Sequence, residues 1–187
     1  MVPLSALWLP VLLSAIIVFV ASSIMHMLLP YHRGDCKRLP DEESIIQAMR
    51  SAGLKRGLYM FPYSTHKEMK SPEMAEKFKR GPVGMVTVFP SPGGSDAMGK
   101  YMAMWFVFCL VINFFVAYVT GRTVMHGAPY LAVFRVAGTV GFMTYGLARL
   151  SDGIWKGQPW GMTFKEVFDG LVFGLLTAGT FGWLWPR

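Results

Sequence analysis

The sequence predicts a mainly α-helical membrane protein in which four transmembrane helices carry a small α+β extramembrane insert between the first and the second. Three observations predict it. Of the 187 residues 53% are hydrophobic and only 16% charged, a poor mixture for a surface in water. Four long stretches are almost free of charge. The charge that exists is gathered in one block, since residues 30–100 hold twelve of the eighteen Lys and Arg and eight of the eleven Asp and Glu. The domain organisation follows: 1–29 as the first span, 30–100 as insert and linker, and 101–187 as a three-helix membrane region.

The first span, Trp8 to Leu29, has no charged residue over 22 positions, about 33 Å of helix at the usual rise. No basic region precedes it, so it reads as a retained anchor and not as a signal peptide. Tyr101 to Thr120 is the second, with Asn113 its one strongly polar side chain. Pro129 to Leu150 is the third, opened by a proline where a helix start tolerates one and interrupted by Arg135. The fourth runs from Phe164 to Trp185, and Thr163 with Glu166 three residues on has the pattern of a capping box at its start. Trp8, Trp155, Trp160, Trp183 and Trp185 fall at the edges, as an interfacial belt requires. The long segment, with Arg149, Lys156 and Lys165, far outweighs Arg122 and Arg187 in basic charge. The positive-inside rule therefore puts both termini outside and residues 30–100 in the cytoplasm.

Gly170, Gly174, Ala178 and Gly182 recur every four residues and give the fourth span a face nearly free of side chains. Close van der Waals contact along such faces drives helix association in lipid, either with the third span, where Ala137, Gly138, Gly141 and Gly146 offer a counterpart, or with another membrane protein or a second copy. Arg135 lies about 9 Å along the helix from Pro129, near enough to snorkel; its alternatives are a buried ion pair or a lipid phosphate. Asn113 and Cys109 share a helix face and read as interhelical hydrogen-bonding groups.

Within the insert, LPDEESIIQAMRSAG has apolar residues at helical spacing, with Asp41 or a neighbour as cap and Gly53 as stop. GLYMF at 57–61 and VGMVTVF at 83–89 read as strands whose mutual direction the sequence leaves open. Between them SPEMAEKFKRG reads as a helix with Ser71 as N-cap, Pro72 at its first position and Gly81 as stop. PSPGGSDAMGK at 90–100 is turn-rich and reads as a hinge.

The stretch IMHMLLPYHRGDC supplies the residue types of a soft-metal site, and a copper centre on His26, His32 and Cys36 with the nearby methionines is one reading. The competing one is a boundary where a helix leaves the membrane, because six residues and a proline separate the histidines. Asp35, Asp152, Glu166 and Asp169 gather near the same interface; Glu166 and Asp169 read as favourable charges at a helix N-terminus. No phosphate loop, dinucleotide fingerprint, zinc-protease helix or nucleophile elbow is present. The net charge of +7 comes from interleaved acids and bases without a recognition motif, which argues against nucleic acid. Cys109 in an apolar helix and Cys36 outside it are not expected to pair.

HMLLPYHRGD, KRGPVGMVTVFP, APYLAVFRVAGT, DGIWKGQPW and TAGTFGWLWP together resemble small four-span bacterial inner-membrane proteins of unknown function. The resemblance implies a location and an architecture and brings no activity or cofactor. On this basis the expected function is that of an integral accessory or assembly subunit acting through helix packing and its small cytoplasmic unit, without chemistry of its own. The alternatives are copper handling, and lipid binding or membrane-embedded catalysis using Arg135; the expected partners are lipids and another membrane protein or a second copy.

Overall fold

The computed structural model describes residues 1–90 and 95–187. In chain order the elements are α1 (Trp8–Ser23), a π-helical turn (Ile24–Leu28), a 3-10 turn (Pro30–His32), α2 (Glu42–Ser51), β1 (Gly57–Phe61), α3 (Pro72–Arg80), β2 (Gly84–Val88), α4 (Ser95–Thr123), α5 (Tyr130–Tyr145), α6 (Leu150–Trp155) and α7 (Trp160–Trp183). They form two compact units, Met1–Cys36 with Met98–Arg187, and Lys37–Ala97.

Among the described residues three helical stretches are long and apolar enough to cross a membrane: Trp8–Leu28, Ala97–Thr123 and Tyr130–Trp155, with hydropathies of 2.3, 2.2 and 1.4. The distribution of side chains in the first unit is the reverse of a water-soluble core. Leu9, Leu12, Ile16 and Val20 of α1 and Val107, Val111, Phe114 and Phe115 of α4 face outward, whereas Ser14, Asn113, Thr120, Thr163 and Thr177 are buried. An apolar exterior of this extent calls for a lipid surround.

α1 and α4 run antiparallel, tied at one end by Val2 N–H donating to the Gly121 carbonyl at 2.8 Å and at the other by Trp105 Nε1 donating to Ser22 Oγ at 2.8 Å. α5 and α7 also run antiparallel and pack backbone to backbone. A Cβ at Gly170 would lie 2.2 Å from Gly146 Cα, one at Gly174 2.8 Å from Phe142 N, and one at Gly138 3.0 Å from the Ala178 methyl. Gly182 lies against the Tyr130 ring. Asn113 Nδ2 donates to Tyr145 Oη at 3.2 Å and to the Cys109 carbonyl at 2.9 Å, so it joins α4 to α5. Cys36 and Cys109 are both free thiols.

Several boundaries differ from the sequence expectations. α7 starts at Trp160, and the Pro159 carbonyl already accepts from Met162 and Thr163 N–H, so Thr163 lies inside the helix. Its hydroxyl donates back to Pro159 O, Glu166 caps nothing, and the capping box is not formed. The third span breaks at Gly146, where a 3-10 turn, Leu147–Arg149, leads into α6. Of the expected hinge at 90–100, residues 91–94 lie outside the described residues, and from Ser95 the chain is helical as part of α4.

In the Lys37–Ala97 unit β1 and β2 pair antiparallel, Gly57 opposite Val88 through Phe61 opposite Gly84. α3 has the expected ends, with Ser71 Oγ accepting from Met74 N–H at 3.2 Å and Gly81 at φ 60°. α2 differs: Asp41 sits in the left-handed region at φ 47° and makes no capping bond, because a capping side chain needs an extended backbone to reach the following amides.

Candidate functional site

The end of α1 is built to turn back on itself. Its last turn widens, Leu29 N–H bonding to the Ile24 carbonyl five residues earlier, and π-turns of this kind recur at functional sites. Leu29 is then extended, as a residue before proline must be, and Pro30 opens a 3-10 turn that brings Tyr31 and His32 over the end of the helix. The two histidine rings consequently stack, their centroids 4.4 Å apart and their planes within 10°. Facing them is Asp169, the tenth residue of α7 and only 2% exposed.

Around this carboxylate the polar atoms form a closed network. Tyr31 Oη donates to Asp169 Oδ1. His32 Nε2 is 2.8 Å from Asp169 Oδ2, and its Nδ1 is 2.6 Å from Asp35 Oδ2. Lys165 Nζ donates to Asp35 Oδ1 and to the Tyr31 carbonyl, both at 2.6 Å. His26 Nδ1 is 3.0 Å from the Ser22 carbonyl, and its Nε2 is 3.6 Å from Asp169 Oδ2. The side chains of His32 and Asp35 are about as buried as Asp169, whereas that of His26 is 49% exposed.

Proton accounting gives the site its character. A ring nitrogen beside a carbonyl can only donate, so His26 Nδ1 carries hydrogen and its Nε2, when the ring is neutral, is a lone pair. His32 Nδ1 faces a carboxylate and donates likewise. Both Nε2 atoms then lie near one oxygen of the Asp169 carboxylate, at 2.8 Å for His32 and 3.6 Å for His26. A proton shared between His32 Nε2 and the carboxylate, or a cation among the three atoms, relieves the repulsion of their lone pairs. The hydrogen bonds to Asp35 from Lys165 and then His32 hold its carboxyl below the usual range. Burial, followed by the bond to Asp169, pushes the Tyr31 phenol up, so it keeps the proton it donates.

His26, His32 and Asp169 also have ligand atoms that lie within 4.8 Å of one another. Two imidazoles and one carboxylate suit a divalent transition ion and leave positions open for water or substrate. The outer contacts are those that metal-binding histidines use: one Nδ1 on a carboxylate, the other on a backbone carbonyl, and the free carboxylate oxygen held by a phenol. The stacked rings are the one mismatch. A lone pair lies in its ring plane, so two parallel rings do not aim at one point, and coordination requires the half-exposed His26 ring to turn.

Of the residues singled out in the sequence, His26 and His32 come together despite the proline between them. Cys36 is exposed and outside the cluster, Met25 is buried, and Met27 is exposed and lines a groove beside His26. Arg135 is exposed and, among the described residues, makes no ion pair. Gly170, Gly174 and Ala178 are used against α5. Asp169 and Asp35 were legible as acids near an interface; the helix start assigned at Thr163 made Asp169 look like an N-terminal charge. The better signal was a carboxylate three turns into a helix that is otherwise apolar beyond it, which needs a mate. Comparison of this chain with protein-family models, with curated proteins and with solved structures finds no match.

Proposed function

We propose that this chain is a four-span membrane protein that holds a divalent first-row transition ion of the zinc or iron(II) class at one end of its helical bundle, through His26, His32 and Asp169. The observation that carries this reading is that two Nε2 atoms lie 2.8 and 3.6 Å from one carboxylate oxygen while every outer atom of the three side chains is already engaged. Proton balance alone would satisfy His32; it gives no role to the second ring. The donor set of two nitrogens and an oxygen favours such an ion over copper(I), which prefers thiolate and thioether.

α7 as the fourth span is supported by its 24 residues, about 36 Å of helix, and by the seam it forms with α5. Its charged residues lie in its first ten positions, where Asp169 and Lys165 are both partnered. The basic excess of the connecting segment supports a cytoplasmic position for the metal end of the bundle. The resemblance of five segments to bacterial inner-membrane proteins supports that membrane as the location.

Cobalt(II) tests the reading directly. The purified protein in mild detergent should show visible bands of nitrogen- and oxygen-bound cobalt that vanish in Asp169→Asn. An intense thiolate charge-transfer band, or bands indifferent to Asp169, would contradict it.

A second reading, as an accessory or assembly subunit, is favoured by the Lys37–Ala97 unit, where Leu58, Met60, Tyr63, Val83 and Phe89 are all more than half exposed. The small-residue face of α7, by contrast, is occupied within the chain. This reading expects a protein that co-purifies in equal amount with the tagged full-length chain and is lost with Leu58→Asp and Met60→Asp; purification of the chain alone counts against it.

A further inference from the structure

Beside His26 a groove of about 290 Å³ opens between the end of α1 and the start of α4, lined by Ser22, His26, Met27, Met102 and Trp105, with Arg149 at its side. Its polar-looking lining is already spent. Ser22 Oγ donates to the Phe19 carbonyl and accepts from Trp105 Nε1, so neither the hydroxyl nor the indole N–H has a hydrogen to offer a ligand. Ser23 Oγ likewise donates to the Phe19 carbonyl, so what the groove presents is two methionines, an indole face and one group able to meet an anion, the Arg149 guanidinium. Arg149 has charge to spare. Its acidic neighbour Asp152 is 3.7 Å away and is held more closely, at 2.6 Å, by Lys156.

An apolar trough with surplus positive charge at its side fits an amphiphile with an anionic head, and not a sugar, a nucleotide base or a polar peptide, each of which would leave buried donors and acceptors unpaired. α1 and α4, which form most of the walls, belong to stretches long and apolar enough to cross a membrane, so the surrounding lipid is the amphiphile at hand. We propose that this groove binds an anionic phospholipid of the bilayer, its acyl chain along Met27, Met102 and Trp105 and its phosphate against Arg149. His26 is shared with the metal centre. The inference therefore deepens the metal reading by naming a substrate class, since one residue that would hold the ion also lines the groove; the binding of the lipid itself does not depend on the ion.

The test uses the full chain in phosphatidylcholine vesicles containing a minority of lipid brominated on its acyl chains, which quenches tryptophan on contact. The difference between wild type and Trp105→Phe isolates the Trp105 emission. Brominated phosphatidylglycerol should quench that emission several-fold more than the same fraction of brominated phosphatidylcholine, and Arg149→Gln should reduce the first to the level of the second. Equal quenching by the two lipids, or a preference indifferent to Arg149, would overturn the proposal. Added inorganic phosphate should leave the quenching unchanged; its displacing the lipid would mean an anion site without a lipid chain and would also overturn it. Wild type stripped of metal by a chelator should keep the preference. A failed metal reading thus leaves the quenching difference standing, and a failed lipid proposal leaves the cobalt spectrum standing.

Discussion

Helix α7 meets the rest of its unit in two chemically opposite ways. Along Gly170, Gly174 and Ala178 it lies against α5 with backbone nearly touching backbone, a contact of shape. At its start, Lys165 and Asp169 reach the turn after α1 and lock into Tyr31, His32 and Asp35 through charged hydrogen bonds. The first contact tolerates no added atom. The second tolerates no unmatched charge. In lipid, where hydrophobic burial does little to bring helices together, the seam supplies association and the polar junction fixes where the end of α1 sits.

The largest effect expected from breaking this contrast is that of Gly170→Leu. A Cβ at this position would already lie 2.2 Å from Gly146 Cα, so the helices must separate, at a cost beyond the ~1–3 kcal/mol of ordinary overpacking. Size-exclusion profiles and thermal melts in detergent should show loss of the folded monodisperse species; a wild-type melt would mean the seam is not tight. Next is Asp169→Asn, which keeps the shape and removes the charge. Leaving Tyr31 and His32 facing an amide in place of a buried carboxylate should cost about 3 kcal/mol, as removal of one partner from a buried charged junction does. Denaturation in mixed micelles measures it, and a loss below a tenth of that size would show that the Asp169 carboxylate does not hold the junction together.

Tyr145→Phe sharpens the comparison from the side of polar contacts within the bundle. It removes the interhelical one of the two acceptors of Asn113 and should cost only about 0.6 kcal/mol, the typical worth of a hydrogen bond between membrane helices. An effect as large as that of Asp169→Asn would erase the distinction drawn here between charged and neutral junctions. The smallest effect lies outside the membrane unit. The Glu68 carboxylate accepts from the Thr65 amide and hydroxyl, both at 2.8 Å, and these bonds hold its carboxyl below the usual value. A depressed carboxylate contributes stability that is present above its ordinary pKa of about 4.3 and lost as pH falls through the lower folded value. The Thr65 amide shift should titrate with a midpoint below that ordinary value, and Glu68→Gln should abolish the titration; a midpoint at or above it would contradict the bond.

The two contacts were not equally legible. Glycines every four residues are a local pattern, so the small-residue face and its counterpart on the third span could be read from the sequence, as could α3 with its Ser71 cap. The polar junction joins His32 to a residue 137 positions away, and no periodicity marks such a pair. Two further features hid it. Pro30 between the histidines suggested that they diverge, whereas the widened turn before it and the 3-10 turn after it fold them together. Thr163 and Glu166 matched a capping box by spacing, but Pro159 had already opened the helix, which moved Asp169 from a helix start to its third turn.

The central claim is that His26, His32 and Asp169 hold a divalent ion and Cys36 does not take part. Metal content of the folded, gel-filtered chain after equilibration with zinc(II), determined by elemental mass spectrometry, tests it most directly. The wild type and Cys36→Ser should each carry about one ion per chain at equilibrium, and His26→Ala/His32→Ala should carry none while eluting as the wild type does. Metal retained by the double histidine variant, or lost with Cys36→Ser, would contradict the account.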